Sequence, residues 1–147
     1  ISAGFSLIEL IVVVALIAIM ATMAAPMWQD YRANTDLKSA ARGVMADIAD
    51  AKQRAVSENS DAYKLEFDVS GNAYALTRDG ATQWTKPLTS YGSGIVLNSV
   101  SFGGTDITLR NRGTVTNGHL ILSNGLGSTA TITVNITGRT YVQYTMS

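Results

Sequence analysis

The sequence predicts an α+β protein in which a long amino-terminal helix packs on a head made of antiparallel β-sheet. Three features of the chain predict this fold. Residues 5–27 are almost entirely apolar, residues 28–60 repeat their apolar positions with helical spacing, and residues 61–147 alternate apolar and polar positions as strands do. Eleven of the thirteen glycines lie between Gly71 and Gly138, so turns are concentrated in the predicted head.

The apolar segment, residues 5–27, contains a single ionisable side chain, that of Glu9. At about 1.5 Å per residue such a helix reaches roughly 34 Å, which is enough to cross a hydrocarbon core of about 30 Å. A carboxylate in a membrane span is costly without a partner. Because no Lys or Arg precedes Asp30, that partner is the chain's own amino terminus or a group on another subunit. Pro26 lacks an N–H group and is expected to kink the helix near the end of the span.

Residues 28–60 are predicted to continue this helix as an amphipathic segment that packs on the head. Gly43 interrupts the pattern and is expected to mark close packing against the sheet, and Asp50 and Arg54 form a favourable pair four residues apart. The helix is expected to stop in the polar stretch 57–61. The apolar positions predicted to share one face are Met27, Tyr31, Leu37, Ala41, Val44, Ile48, Ala51 and Ala55.

The head, residues 61–147, is predicted to contain only strands and turns, with no helix after residue 60. Residues that favour strands dominate its apolar segments. Turn signals stand at 70–72, Asp79-Gly80, Asn117-Gly118, Asn124-Gly125 and Thr137-Gly138. The predicted strands are 63–69, 73–78, 82–85, 94–97, 99–102, 106–110, 119–123, 129–136 and 139–145.

Composition argues against several kinds of chemistry. Eleven basic and eleven acidic residues cancel, and the chain has no cysteine, which excludes disulfides, thiol catalysis and thiolate metal sites. His119 is the only histidine, Asp106 is the only acid after Asp79, and neither a nucleophile motif nor a nucleotide-binding motif is present. We therefore expect no catalytic residues, no metal, no cofactor and no enzymatic activity.

The start of the chain resembles the processing site of type IV prepilins and type II secretion pseudopilins, in the string Gly4-Phe5-Ser6-Leu7-Ile8-Glu9-Leu10. The resemblance implies that a prepilin peptidase cuts between Gly4 and Phe5 and that the amino group of Phe5 is then methylated. It also implies that Glu9 assists subunit assembly by meeting the amino group of Phe5 of a neighbour. Residues 1–4 lack the basic residues usual before the cut, so we expect them to be the remnant of a longer leader.

The resemblance narrows to minor pilins of the GspH/FimT type. It is carried by residues 37–56 and 109–113, and by residues 132–139, which read ITVNITGR. It implies a minor pilin or pseudopilin, a structural subunit of a type IV pilus or type II secretion pseudopilus. The expected partners are other pilin subunits, the peptidase and the bacterial inner membrane, with the head in the periplasm.

DNA binding during uptake is the alternative function that this resemblance raises. Some FimT-type minor pilins bind DNA through a carboxyl-terminal Gly-Arg-x-Arg, and here Gly138-Arg139-Thr140-Tyr141 keeps only the first arginine. The candidate DNA contacts are Arg110, Arg112 and Arg139. Each phosphate contact that is lost weakens a salt-dependent affinity, so DNA binding ranks below the structural function.

Overall fold

The computed structural model describes residues 6–147, except for the side chains of residues 23–26. The first element, α1, is a single helix over Leu7–Ser57. It begins where the backbone N–H of Glu9 and that of Leu10 bond to the carbonyl of Ser6. Gly4 and Phe5 lie outside the described residues, and so does the side chain of Pro26, although the helix continues through that position.

The chain divides into two compact units, residues 1–32 and 33–147. In the first unit every described side chain is exposed. An 18-residue window of α1 has a mean hydropathy of 2.7, so this helix is long and apolar enough to cross a membrane. In the second unit α1 buries one face, in agreement with the predicted positions from Leu37 to Ala55. Met27 and Tyr31 were wrongly assigned to that face, because both are exposed in the first unit.

The carboxyl-terminal end of α1 is closed by backbone geometry. Asn59 adopts a positive φ of 48°, its N–H bonds to the carbonyl of Val56 at 3.2 Å, and the N–H of Ser60 bonds to the carbonyl of Ala55 at 2.9 Å. This is the Schellman arrangement, which satisfies carbonyls that the helix end would leave unpaired. Asparagine tolerates the left-handed conformation better than most residues, so this position fixes where the helix stops.

Eight strands follow α1 in two antiparallel sheets, where the sequence had suggested one. The first sheet has the order β3-β2-β1-β5 and the second has the order β4-β6-β7-β8. The strands are β1 (Tyr63–Asp68), β2 (Ala73–Arg78), β3 (Ala81–Pro87), β4 (Val96–Ser101), β5 (Asp106–Leu109), β6 (Gly118–Ser123), β7 (Thr129–Val134) and β8 (Thr140–Thr145).

Four details of the head differ from the prediction. The region predicted to form two strands, 94–97 and 99–102, contains the single strand β4, Val96–Ser101, with a register shift between Leu97 and Ser99. A short 3₁₀ helix, Leu88–Ser90, lies in a region expected to contain no helix. β1 ends at Asp68, which leaves Val69 exposed. Asn117-Gly118 is not a hairpin turn, because β5 and β6 belong to different sheets.

One hydrophobic core joins α1 to both sheets within residues 33–147. Each sheet turns alternate side chains inward, such as Leu65 and Phe67 from β1 and Ile132 and Val134 from β7. The residues of α1 in this core are Leu37, Ala40, Ala41, Val44, Ile48, Ala51 and Ala55. Four of the seven are alanines, and their small side chains let the helix backbone approach the sheets closely.

Candidate assembly site

The exposed part of α1 presents apolar side chains on every side of the helix. Five successive residues, 10–14, are large and apolar, and each is at least 45% exposed. Successive helical residues point about 100° apart, so this run covers the whole circumference. A helix that is apolar all round is stable in lipid or among other helices, not in water. The exposed large apolar residues between Leu7 and Met20 are Leu7, Ile8, Leu10, Ile11, Val12, Val13, Val14, Leu16, Ile17, Ile19 and Met20.

Glu9 is the one acid in this apolar surface. It lies in the first turn of α1, where the partial positive charge of the helix end favours a carboxylate, and its side chain is exposed. Among residues 6–147, Glu9 forms no ion pair, since each of the ion pairs found there joins residues of the second unit. Phe5, its expected partner, lies outside the described residues, so the pairing of Glu9 with Phe5 stays a prediction.

The other end of α1 is held in the head by a polar cluster around Asp47. The Asp47 carboxylate accepts a hydrogen bond of 2.6 Å from the hydroxyl of Tyr74, and both of its oxygens lie 2.8 Å from Nζ of Lys86. Lys86 also lies over the ring of Trp84, 4.9 Å from its centroid. These contacts join the helix to β2 and β3, so they fix α1 along its axis as well as against the sheet.

The Asp47 cluster was not predicted, although the sequence contains a signal for it. Asp47 follows Val44 by three residues and precedes Ala51 by four, so it belongs to the helix face that is predicted to pack on the head. An acid on a buried helix face requires a partner inside the fold. Lys86 is the candidate for that partner, because it is the only base between Arg78 and Arg110.

Burial raises the pKa of Tyr74 far above its ordinary value of 10.0, and the hydrogen bond to Asp47 adds to the shift. The neutral phenol is therefore the form that the fold stabilises. Below pH 10 the phenol is neutral in both folded and unfolded chains, so its contribution to stability is fully present and does not change with pH. Above pH 10 only the unfolded chain loses the proton, so stability is lost as the pH rises.

We expect the free energy of unfolding of the head to fall above pH 10 by about 1.4 kcal/mol per pH unit on account of Tyr74. In the Tyr74→Phe variant, the free energy of unfolding should decline less steeply with pH, and the two slopes should differ by that amount. Urea titrations at several alkaline pH values would measure both slopes. Tyr141→Phe is the matched control for the loss of a phenol hydroxyl, because Tyr141 is 53% exposed. Equal slopes in wild type and Tyr74→Phe would contradict the prediction.

Gly43 does mark close packing, but its neighbour is a loop residue and not the sheet. A side chain at Gly43 would meet the phenol of Tyr91, which follows the 3₁₀ helix Leu88–Ser90. The Tyr91 hydroxyl also lies 3.3 Å from that of Tyr74. Gly43 thus leaves room for an aromatic ring that extends the Asp47 cluster.

A second polar cluster lies just beyond the end of α1. The Glu58 carboxylate accepts hydrogen bonds from Tyr63, at 2.8 Å, and from Arg78, at 2.7 Å. The Arg78 guanidinium lies over the Tyr63 ring, 5.3 Å from its centroid. On the helix itself, the predicted pair of Asp50 and Arg54 is present at 2.8 Å, exposed to solvent.

The three arginines named as candidate DNA contacts are all exposed. Arg110 and Arg112 lie in the turn after β5, and Arg139 lies in the turn between β7 and β8. The two turns are adjacent, because the N–H of Val115 bonds to the carbonyl of Ile136. Lys52 donates to the carbonyl of Thr137 and so adds a fourth basic residue beside them. His119 is exposed on β6.

Comparisons with known proteins agree with this description. Residues 2–25 match the model of the prokaryotic N-terminal methylation motif, and residues 40–138 match the model of the type II transport protein GspH. Two curated fimbrial proteins of Pseudomonas aeruginosa are 43% identical to the chain over 58 residues. That match covers 40% of this chain and 37% of each relative, so the chain spans little more than a third of the length of these relatives.

A solved structure has the same fold. The crystal structure of the Pseudomonas aeruginosa type IV minor pilin FimU matches with a TM-score of 0.56 and 16% identity, over 73% of this chain and 92% of that one. An apolar helix that leads into a strand-rich head, together with the methylation motif, defines the class of pilin-like proteins. Within that class, the chain belongs to the GspH family of type II transport proteins.

Proposed function

We propose that this protein is a non-enzymatic structural subunit of a type IV pilus or a type II secretion pseudopilus. The observation that carries the proposal is the contrast along α1: residues 7–20 expose apolar side chains on every side, whereas Leu37 to Ala55 bury one face completely in the head. The second of these segments is suited to packing in the head. The first is suited to an environment without water, outside the head.

Before assembly, that environment is the bacterial inner membrane, and the head lies in the periplasm. Positive charge on the cytoplasmic side of a leader would orient the span in this direction. During assembly the same helix leaves the lipid and joins a bundle formed by other pilin or pseudopilin subunits. Lipid tails are as apolar as leucine, so this transfer gains little from hydrophobicity and depends on packing and on polar pairs.

Glu9 supplies the polar pair in this mechanism. Its carboxylate meets the amino group of Phe5 of a neighbouring subunit, which neutralises two charges in a site from which water is excluded. The comparisons name type II transport and fimbrial proteins and give no support to the DNA-uptake alternative. We therefore retain the structural function alone.

The direct test is the amino terminus of the assembled protein. Mass spectrometry of the protein from sheared filaments should show a chain that begins at Phe5 and carries a methyl group on its amino nitrogen. Gly4→Ala should slow this cleavage, because it adds a methyl group at a cut where the peptidase site fits a residue without a side chain. Ser2→Ala, a change within the removed leader, is the control and should be cleaved normally. If filaments contained the uncleaved protein, which still begins at residue 1, the proposal would be contradicted.

A further inference from the structure

Two exposed aromatic residues, Trp28 and Tyr31, follow the apolar segment of α1. They lie three residues apart on one face of the helix, and their ring centroids are 6.2 Å apart. Trp28 is 64% exposed and Tyr31 is 66% exposed, and neither belongs to the hydrophobic core of the head. We call these two residues the aromatic pair. Large apolar rings that a fold leaves uncovered indicate a surface that meets something outside the chain.

The position of the aromatic pair along α1 corresponds to one surface of a bilayer. Trp28 follows Leu7, the first residue of the helix, by 21 residues. At about 1.5 Å per residue this is a distance of about 32 Å, close to the thickness of about 30 Å of a hydrocarbon core. If Leu7 lies at one surface of the hydrocarbon core, Trp28 therefore lies at the other.

The kinds of residue in the chain change at the same point. Residues 7–27 contain no tryptophan and no tyrosine, and Asp30 and Arg32, beside the aromatic pair, are the first charged residues after Glu9. Tryptophan and tyrosine join an apolar ring to a polar N–H or O–H group, and they are enriched where hydrocarbon meets water. The aromatic pair thus stands where its chemistry fits the boundary and not the hydrocarbon interior.

The neighbouring charges fit the same boundary. Asp30 and Arg32 are both exposed. The Arg32 guanidinium can bond to a lipid phosphate, for which its planar group is well suited. Because Asp30 and Arg32 cancel in charge, the attraction to a bilayer rests on the aromatic rings and does not require anionic lipid.

We propose that the aromatic pair binds the boundary between acyl chains and headgroups on the periplasmic side of the inner membrane and fixes the depth of the span. This inference rests on the proposed function, in which α1 crosses that membrane before assembly. Lipid is favoured over a neighbouring helix as the partner, because a dry contact between helices would take Asp30 and Arg32 out of water. The boundary covers the rings and leaves both charges solvated.

A span that is anchored in this way keeps its depth when the thickness of the bilayer changes. Interfacial aromatic residues stay at the boundary, and the lipid or the other end of the helix adapts. A span that is placed only by the length of its apolar segment has no such fixed point. In a thicker bilayer its aromatic residues would move toward the hydrocarbon interior.

The test is fluorescence quenching of Trp28 in the full chain, reconstituted in phosphatidylcholine vesicles whose acyl chains carry bromine near the headgroup or near the chain end. Trp84→Phe leaves Trp28 as the only tryptophan. We expect shallow bromine to quench Trp28 at least about twofold more strongly than deep bromine, since the indole lies at the boundary. The preference should be the same in lipids with short and long acyl chains.

The contribution of Tyr31 is tested in the same chain. Tyr31→Ala should reduce the preference of Trp28 for shallow bromine in the lipids with long acyl chains, because one ring then holds the helix in place of two. Gln29→Ala is the matched control, since Gln29 is exposed on the same turn and carries no ring. If the two substitutions had equal effects, Tyr31 would have no part in the anchor and the proposed pair would be wrong.

A second reporter separates this inference from the proposed function. Leu16→Trp, combined with Trp28→Phe and Trp84→Phe, places the only tryptophan about 18 Å from position 28, near the middle of the span. Deep bromine should quench this reporter more strongly than shallow bromine. If neither bromine quenched it, α1 would not cross the bilayer, and both the proposed function and this inference would be wrong.

Two outcomes would overturn the inference alone, with the Leu16→Trp reporter still quenched by deep bromine. Stronger quenching of Trp28 by deep bromine, in any of the lipids, would show that the length of the apolar segment sets the depth. Quenching of Trp28 that disappears as the ratio of protein to lipid is raised would show that a neighbouring helix, and not lipid, covers the aromatic pair.

Discussion

A Glu9→Leu variant is expected to be inserted in the membrane and cleaved like wild type, yet to enter filaments poorly. Insertion should be as good or better, because the substitution removes the only charge from the apolar segment. Assembly should suffer, because the amino group of a neighbouring Phe5 would then be buried without its carboxylate. Losing one partner of a buried pair costs about 3–5 kcal/mol, which is a large share of the energy that docks one subunit.

The measurement is the amount of this protein in sheared filaments divided by the amount in membranes, for wild type and variant expressed at equal levels. We expect the ratio to fall by at least about tenfold, since each 1.4 kcal/mol is a factor of ten. Thr22→Val is the matched control. It removes a polar group from the same helix, but among the described residues the Thr22 hydroxyl bonds to the carbonyl of Ile19, within its own helix. An unchanged ratio for Glu9→Leu would mean that Glu9 makes no assembly contact.

In the head, Ile48→Ala is expected to lower the free energy of unfolding by about 2–5 kcal/mol. Ile48 is fully buried on α1, in the core that the helix shares with both sheets. Truncation to alanine removes apolar contacts and leaves a cavity that the sheets cannot close by small shifts. Because a domain of this size is stable by only about 5–15 kcal/mol, the loss would be a substantial fraction of the whole.

Urea titration of residues 33–147 would measure this loss. Val56→Ala is the matched control, since Val56 is a β-branched residue on the same helix that is 45% exposed, and its truncation should change stability by no more than about 0.5 kcal/mol. Ile48→Val should fall between the two, at about 0.5–1.5 kcal/mol. If Ile48→Ala and Val56→Ala were equally mild, the helix would not be part of the cooperative core.

The sequence by itself determined the features that depend on local order along the chain. The apolar run with Glu9 predicted a helix able to span a membrane, and helical spacing predicted the buried face from Leu37 to Ala55. Strict alternation located β1, and Asp79-Gly80 located the turn between β2 and β3, where both residues take positive φ. Each of these signals comes from neighbouring residues, whose spacing determines which side of a helix or strand they occupy.

Only the tertiary structure decided which of these elements meet. Alternation shows that one face of a strand is buried, but not which strands are its neighbours, so two sheets were predicted as one and Asn117-Gly118 was predicted as a hairpin turn. The Asp47 cluster joins residues up to 39 positions apart, and Tyr91 reaches Gly43 from a loop. Likewise, β8 is an edge strand only because, among residues 6–147, it pairs with β7 and with no other strand. These contacts depend on how separate elements pack, and packing is set by the shape and polarity of the whole core and not by local spacing.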